Sequence, residues 1–318
     1  MKSNLSIQNP VSNKLEKRSS SAIKMMKSHW QLYLIIFLPV LYIFIFNYVP
    51  MYGAMLAFKD YKVSLGITAS PWVGLKYFKQ FFRSPSSLLI IKNTLLISIY
   101  TIVAGFPIPI ILAIAITEAK NKTFKNTVQM VTYAPYFIST VVMVGMLFQV
   151  LDPQVGIVSK LLGQSFSSVN FLGDAKYFKH LFVWSGIWQG TGYASIIYIA
   201  ALAGVDPFLQ EAAIIDGASK FKRIIHVDIP SIMPTIIILL ILSVGGVMSV
   251  GFEKVFLMQN PMNASSSEII ATYVYKVGLL SGNFSFSTAV GLFNSVVNLF
   301  LLVSVNTVAK KMGGSSLW

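Results

Sequence analysis

The sequence predicts an all-α integral membrane protein with six transmembrane helices, and three observations carry that reading. Of 318 residues, 55 % are hydrophobic and 11 % charged, with a mean hydropathy of +0.68, whereas soluble domains carry roughly a quarter charged residues. Six apolar segments, at 30–49, 90–117, 127–151, 180–203, 233–258 and 288–309, reach the roughly 20 helical residues that a hydrocarbon core of about 30 Å requires. The stretches between them are polar and hold most of the lysines. Backbone groups in lipid must find partners within their own segment, so these segments read as helices rather than strands.

Taken in order, residues 1–29 are polar, with six basic residues against the single acid Glu16, and are expected to form a cytoplasmic tail. They do not read as a secretory leader, because the apolar run that follows is too long and no small-residue cleavage site ends it. The first outer loop, 50–89, contains "PWVGLKYFKQFF" at 71–82. A helix there sets Leu75, Phe78, Phe81 and Phe82 on one face and Lys76, Lys79 and Gln80 on the other, the pattern of an interfacial helix that anchors in lipid. Pro107 and Pro109 in the second span and Pro135 in the third are expected to kink or offset those helices. With no internal repeat or low-complexity segment, residues 30–309 read as one transmembrane domain and 310–318 as a short cytoplasmic tail.

Orientation follows from lysine and arginine in the loops. If the first tail lies inside, the segments 1–29, 118–126, 204–232 and 310–318 hold 14 basic residues in 76 positions. The outer loops 50–89, 152–179 and 259–287 hold 9 in 97. The bias favours both termini in the cytoplasm.

Composition also excludes several chemistries. There is no cysteine, and the three histidines (His29, His180, His226) lack zinc-site spacing, so no metal site is expected. A net charge of +14 carried by 22 lysines and 3 arginines suits anionic headgroups rather than base recognition, so nucleic acid is not an expected partner. No GxxxxGK[ST], HExxH or GxSxG motif occurs, and no catalytic residues are expected in this chain.

The stretch "DPFLQEAAIIDGASKFKRIIHVDIPSIMP" (206–234) sets seven charges between two apolar segments. Asp206 followed by Pro207 is a helix start. Asp216-Gly217 is a stop, "ASKFKRIIHV" restarts the helix, and Pro230 and Pro234 are expected to redirect the chain into the fifth span. Two short helices joined at a glycine result. Ala212 and Ala213 leave a bare face beside Glu211, the anatomy of a helix that seats in a partner's groove, with a solvated amphipathic loop as the alternative.

The order "EAA", three residues, "G", nine residues, "VDIP" resembles the EAA loop of the membrane permease subunits of ATP-binding-cassette importers. Val227 and Ile229 depart conservatively from the family's Ile-x-Leu-Pro ending, while "DGA" at 216–218, Phe221 and Pro234 match the carbohydrate-uptake form. "NYVPMYGAMLAFKDY" (47–61), "WVGLKYF" (72–78), "VNFLGDAKYF" (169–178) and "GFEKVFLMQNP" (251–261) resemble the Lpl-type permeases of oligo- and polysaccharide importers. The resemblance implies a second, usually non-identical permease subunit, a pair of ATPase subunits that bind ATP and Mg, and an extracellular solute-binding lipoprotein. No cofactor is implied for this chain itself. It further implies that Glu211, Ala212, Ala213, Asp216, Gly217, Ala218, Phe221 and Pro230 form the ATPase-coupling contact.

A substrate path is expected from "VWSGIWQGTGYASIIY", which sets Trp184, Trp188, Gln189, Tyr193 and Tyr198 on the fourth span. Aromatic faces with an amide suit sugar rings, although aromatic residues also form interfacial belts. Asn294 and Asn298 share a face of the sixth span, where amides bond across helices or meet a sugar hydroxyl. Glu253 and Lys254 fall near the outer end of the fifth, within reach of headgroups or a binding protein. Lys59, Lys62, Lys76, Lys79 and Arg83 against Asp60 give the outer mouth a positive field that would gather acidic oligosaccharides, or equally meet lipid headgroups or an acidic face of a binding protein. An importer for amino acids or ions, and an ion-coupled secondary transporter, stay as alternatives. The second is opposed by the scarcity of intramembrane acids.

Overall fold

The computed structural model describes residues 28–162, 169–311 and 316–317; residues 1–27 of the expected tail at 1–29, and 312–315 and 318 of that at 310–318, lie outside them. Every regular element among the described residues is helical, with one isolated bridge between Lys59 and Trp72. Four helices are long and apolar enough to cross a membrane: Trp30–Phe58, Pro85–Glu118, Lys220–Gly245 and Phe284–Lys311. Two bent pairs raise the number to six if each is one span: Lys122–Phe137 with Thr140–Val150, bent by 99°, and Ala175–Ala203 with Pro207–Ile215, bent by 71°.

The chain divides into two compact units, Met1–Met55 and Leu56–Trp318. In the first, Trp30–Ile43 runs into a π turn at Phe44–Tyr48, and its side chains are exposed all round. A helix that is apolar on every face is built for lipid.

The second unit packs around three apolar clusters. Helix Ala175–Ala203 touches all three of the elements that begin at Pro85, Pro107 and Lys122. At Gly192 the approach is closest: a Cβ there would lie 2.0 Å from the Thr132 carbonyl oxygen. Small residues permit such backbone crossings in membrane bundles.

Several sequence expectations change in detail. The second span is one long helix, because Pro107 and Pro109 stand at its restart after Phe106, whose backbone stays helical. The third breaks outright: Pro135 ends it in a 3-10 turn, Ile138 and Ser139 are extended, and Ser139 caps the next helix by accepting from Val142 N. Pro230 and Pro234 do not redirect the chain, since Lys220–Gly245 is continuous. A π turn at Ile224–Asp228 precedes Pro230, and such a turn takes up the register slip around a residue that has no N–H. The fifth span stops at Gly245 rather than 258, and the chain turns before the short helix Phe252–Met258.

Helix Lys76–Arg83 forms where the amphipathic pattern lies, but it is not a simple lipid anchor. Phe81 and Tyr77 are buried, with Phe81 packed against Tyr273, Phe286 and Phe293. Leu75 and Phe82 remain exposed. Tyr77 and Phe81 meet Phe286, and Phe81 also Phe293, on the last long helix, an aromatic cluster that hydropathy alone cannot reveal.

Candidate functional site

Two features have the makings of a site, a structured polar loop and a cavity. In the loop, Asp206 Oδ1 accepts from Phe208 N at 3.0 Å and Pro207 occupies the first helical position. The helix Pro207–Ile215 ends where Ala218 N donates to Ala213 O at 2.9 Å and Gly217 N to Ile214 O at 3.0 Å. That pair of bonds is a Schellman motif, which needs a left-handed residue, and Gly217 supplies it at φ 72°. Ser219 then caps the next helix by accepting from Lys222 N. The two-helix loop joined at a glycine is therefore present as expected.

The loop is held to its surroundings by polar contacts. Gln210 Nε2 donates to Asp228 Oδ1, and Arg223 Nη1 donates to Gln210 Oε1 at 3.0 Å. Lys220 Nζ reaches both the carbonyl and the carboxylate of Glu118, each at 2.9 Å. Outward, Glu211, Ala212, Asp216, Gly217 and Pro230 are exposed, and Ala213 and Ala218 half-buried. Phe208, Ile215 and Phe221 are also exposed, at 76 %, 86 % and 70 %. Three large apolar side chains at that exposure on a charged loop are candidates for contact with a partner.

The cavity, about 740 Å³, lies between the helices that begin at Pro85, Ala175 and Ile229. Its wall is mainly apolar but carries Ser98, Thr101, Gln189, Thr191, Ser243 and Ser249. Volume and lining match a small-molecule site. Of the path residues expected from the sequence, Gln189 and Tyr198 line it. Tyr198 is buried edge-on to Phe106. Gln189 Nε2 also donates to the Ile138 carbonyl at 2.7 Å, satisfying the break in the third segment.

The other expected path residues lie elsewhere. Trp184 and Trp188 are about half exposed, and Trp184 Nε1 donates to the Tyr100 hydroxyl, itself bonded to His180. Tyr193 stacks on Tyr136 with ring centres 3.9 Å apart. Asn298 accepts from Met248 N and donates to Ser249 Oγ, each at 2.9 Å, which serves the chain where the fifth helix has ended. Asn294 keeps a buried Oδ1 with no hydrogen-bond partner among the described residues. The sequence reading missed the cavity's hydroxyls, because serine and threonine at scattered positions carry no periodic signal.

Glu253 is exposed, while Lys254 turns inward to the cavity wall rather than to headgroups. In the outer loop, Lys59 is buried, donates to the carbonyls of Ile67 and Thr68 and sits over the Trp72 ring, so it adds little to an external field. Lys62, Lys76, Lys79 and Arg83 remain exposed.

Apolar helices around a hydroxyl-lined cavity, joined by an ordered polar loop with an exposed apolar surface, are the parts of a membrane transport subunit. The chain belongs to the family of binding-protein-dependent transport system inner membrane components, whose model matches residues 105–314. It is 41 % identical over 288 residues to protein LplB of Bacillus subtilis (strain 168), covering 90 % of this chain and 91 % of that one. It is 40 % identical over 309 residues to the polygalacturonan/rhamnogalacturonan transport system permease protein YteP of the same organism, covering 96 % and 95 %. Among solved structures, a chain of a bacterial alginate ABC transporter, in complex with alginate pentasaccharide-bound periplasmic protein, superposes with a TM-score of 0.84. That pair is 34 % identical over 92 % of this chain and 99 % of the other.

Proposed function

We propose that this chain is one of two permease subunits of an ATP-driven importer and forms half of the pathway for oligosaccharides. It would have six spans and cytoplasmic termini, with residues 30–309 as the transmembrane domain and 1–29 and 310–318 as tails. An extracellular solute-binding lipoprotein would deliver the sugar. A separate dimeric ATPase would bind ATP and Mg and do the hydrolysis. The capped loop carries the proposal: Phe208 and Ile215 on its first helix and Phe221 on its second are exposed apolar side chains that need a partner.

The topology is supported by which loops meet. Residues 118–126 and 204–232 approach through Glu118 and Lys220. On the other side of the alternation, Asn260 and Asn263 both donate to Leu172 O at 2.9 Å, and Tyr61 N donates to Ser285 Oγ at 2.9 Å. Loops predicted to share a membrane face are thus in contact with one another.

In the proposed cycle, Glu211 pairs with a basic residue on the ATPase, Ala212 and Ala213 seat in its groove, and Phe221 lies beside them. Asp216, Gly217 and Ala218 fix the angle of the lever, and Pro230 begins the helix it drives. Closure of the ATPases around ATP would push the loop and rock the spans about the cavity, an alternating-access motion. Acidic, polysaccharide-derived sugars are the favoured cargo, given what the YteP and alginate systems handle and the four exposed basic residues of the outer loop.

Purification of the complex from the native membrane tests the proposal. A second permease and an ATPase should accompany this chain, and reconstituted vesicles should take up oligosaccharide only with ATP. Solute movement by the isolated chain without nucleotide would overturn it.

A further inference from the structure

Lys254 is the one charged side chain among the described residues that line the cavity. Its Nζ donates to the Phe182 carbonyl at 2.6 Å and lies 4.6 Å from the centre of the Phe182 ring. The side chain reaches that position because residue 186 is glycine: a Cβ there would stand 3.1 Å from Nζ. No carboxylate pairs with it among the described residues; the three ion pairs found there join Lys76 to Asp60, Lys220 to Glu118 and Lys276 to Glu268. An ammonium has three N–H donors, so one helix carbonyl leaves two unspent at the cavity wall.

A cation within an apolar bundle is costly unless it meets an anion or opens on a polar space. Here Lys254 opens on the cavity, whose otherwise mainly apolar lining also includes Ser98, Thr101 and Ser249. A uronic acid matches that combination group for group, with a carboxylate for the ammonium and ring hydroxyls for the serines and threonine. We infer that Lys254 is the cavity's carboxylate-recognising residue and makes the pathway selective for uronate-bearing oligosaccharides over neutral ones. The inference rests on the importer reading above and adds to it a residue and a basis of discrimination.

The test uses the whole transporter in vesicles, with trigalacturonate and its trimethyl ester as paired probes. With Lys254→Met, the KM for the acid relative to that for the ester should rise on the order of tenfold to a hundredfold, as loss of a hydrogen bond to a charged group implies. Lys254→Arg should keep that ratio within a few-fold of the parent. An unchanged ratio in Lys254→Met overturns the inference. So does a parent protein that takes up the ester as readily as the acid, although the importer reading would then stand. Absence of ATP-dependent uptake of either probe and of any other oligosaccharide would remove both.

Discussion

Glu118 and Lys220, 102 positions apart, are joined twice, with Lys220 Nζ 2.9 Å from the Glu118 carbonyl oxygen and 2.9 Å from its carboxylate. The bond ties the end of the second long helix to the start of the helix that leaves the polar loop. A force on the loop therefore reaches two long helices rather than one.

A double-mutant cycle on Glu118→Gln and Lys220→Met should give a coupling of about 0.2–1 kcal/mol, since both groups are partly exposed to solvent. Thermal unfolding of the detergent-purified protein measures it. Strictly additive losses would mean that the pair carries no force between the helices.

Gly217 stands at φ 72° with nothing within 4 Å of a would-be Cβ, so substitution meets backbone strain rather than a clash. Gly217→Ala should cost roughly 1–2 kcal/mol in the loop, and Gly217→Asn less, because asparagine tolerates this region. A bulky β-branched residue, Gly217→Val, should abolish uptake while the protein still reaches the membrane. Normal uptake with Gly217→Val would show that the lever's angle does not matter.

Gly192 and Gly190 make a matched pair. A Cβ at 192 would strike the Thr132 backbone, whereas one at 190 meets nothing within 4 Å. Gly192→Ala should lower stability by about 1–3 kcal/mol, the cost of overpacking, and Gly190→Ala should not. Melting temperatures of the two variants in one detergent decide the matter; equal values would contradict the close crossing.

The outer loop should respond to acid through Asp60, which accepts a hydrogen bond from the Tyr77 hydroxyl. That bond, and then Lys76, hold the Asp60 carboxyl below its ordinary range, and burial followed by Asp60 pushes Tyr77 up to about 12. A depressed carboxyl stabilises above its unfolded value of roughly 3.9, and the contribution fades as pH falls through the lower folded value. For Tyr77 the sign reverses: its contribution is present below roughly 10 and is lost as pH rises through about 12. Amide-exchange protection across 56–84 should hold near neutrality and fall below about pH 4, with the acid dependence reduced in Tyr77→Phe. An identical acid profile in that variant would remove Asp60 from the explanation.

The sequence alone determined the class of this protein and the anatomy of its loop. Length and hydropathy of the apolar runs depend only on neighbouring residues, and so do Asp206-Pro207 as a helix start and Asp216-Gly217 as a stop. The loop appears at those residues, Schellman turn included. The tertiary structure decided what faces what. Trp184 and Trp188, expected from the sequence on the cargo path, are about half exposed and do not line the cavity, whereas Lys254 meets Phe182, 72 positions away, across a gap left by a glycine. Such pairings depend on how helices cross and where they break, at Ser139 and Gly245 for instance. Those outcomes follow from packing and backbone hydrogen bonding between distant segments, which no local pattern of residues encodes.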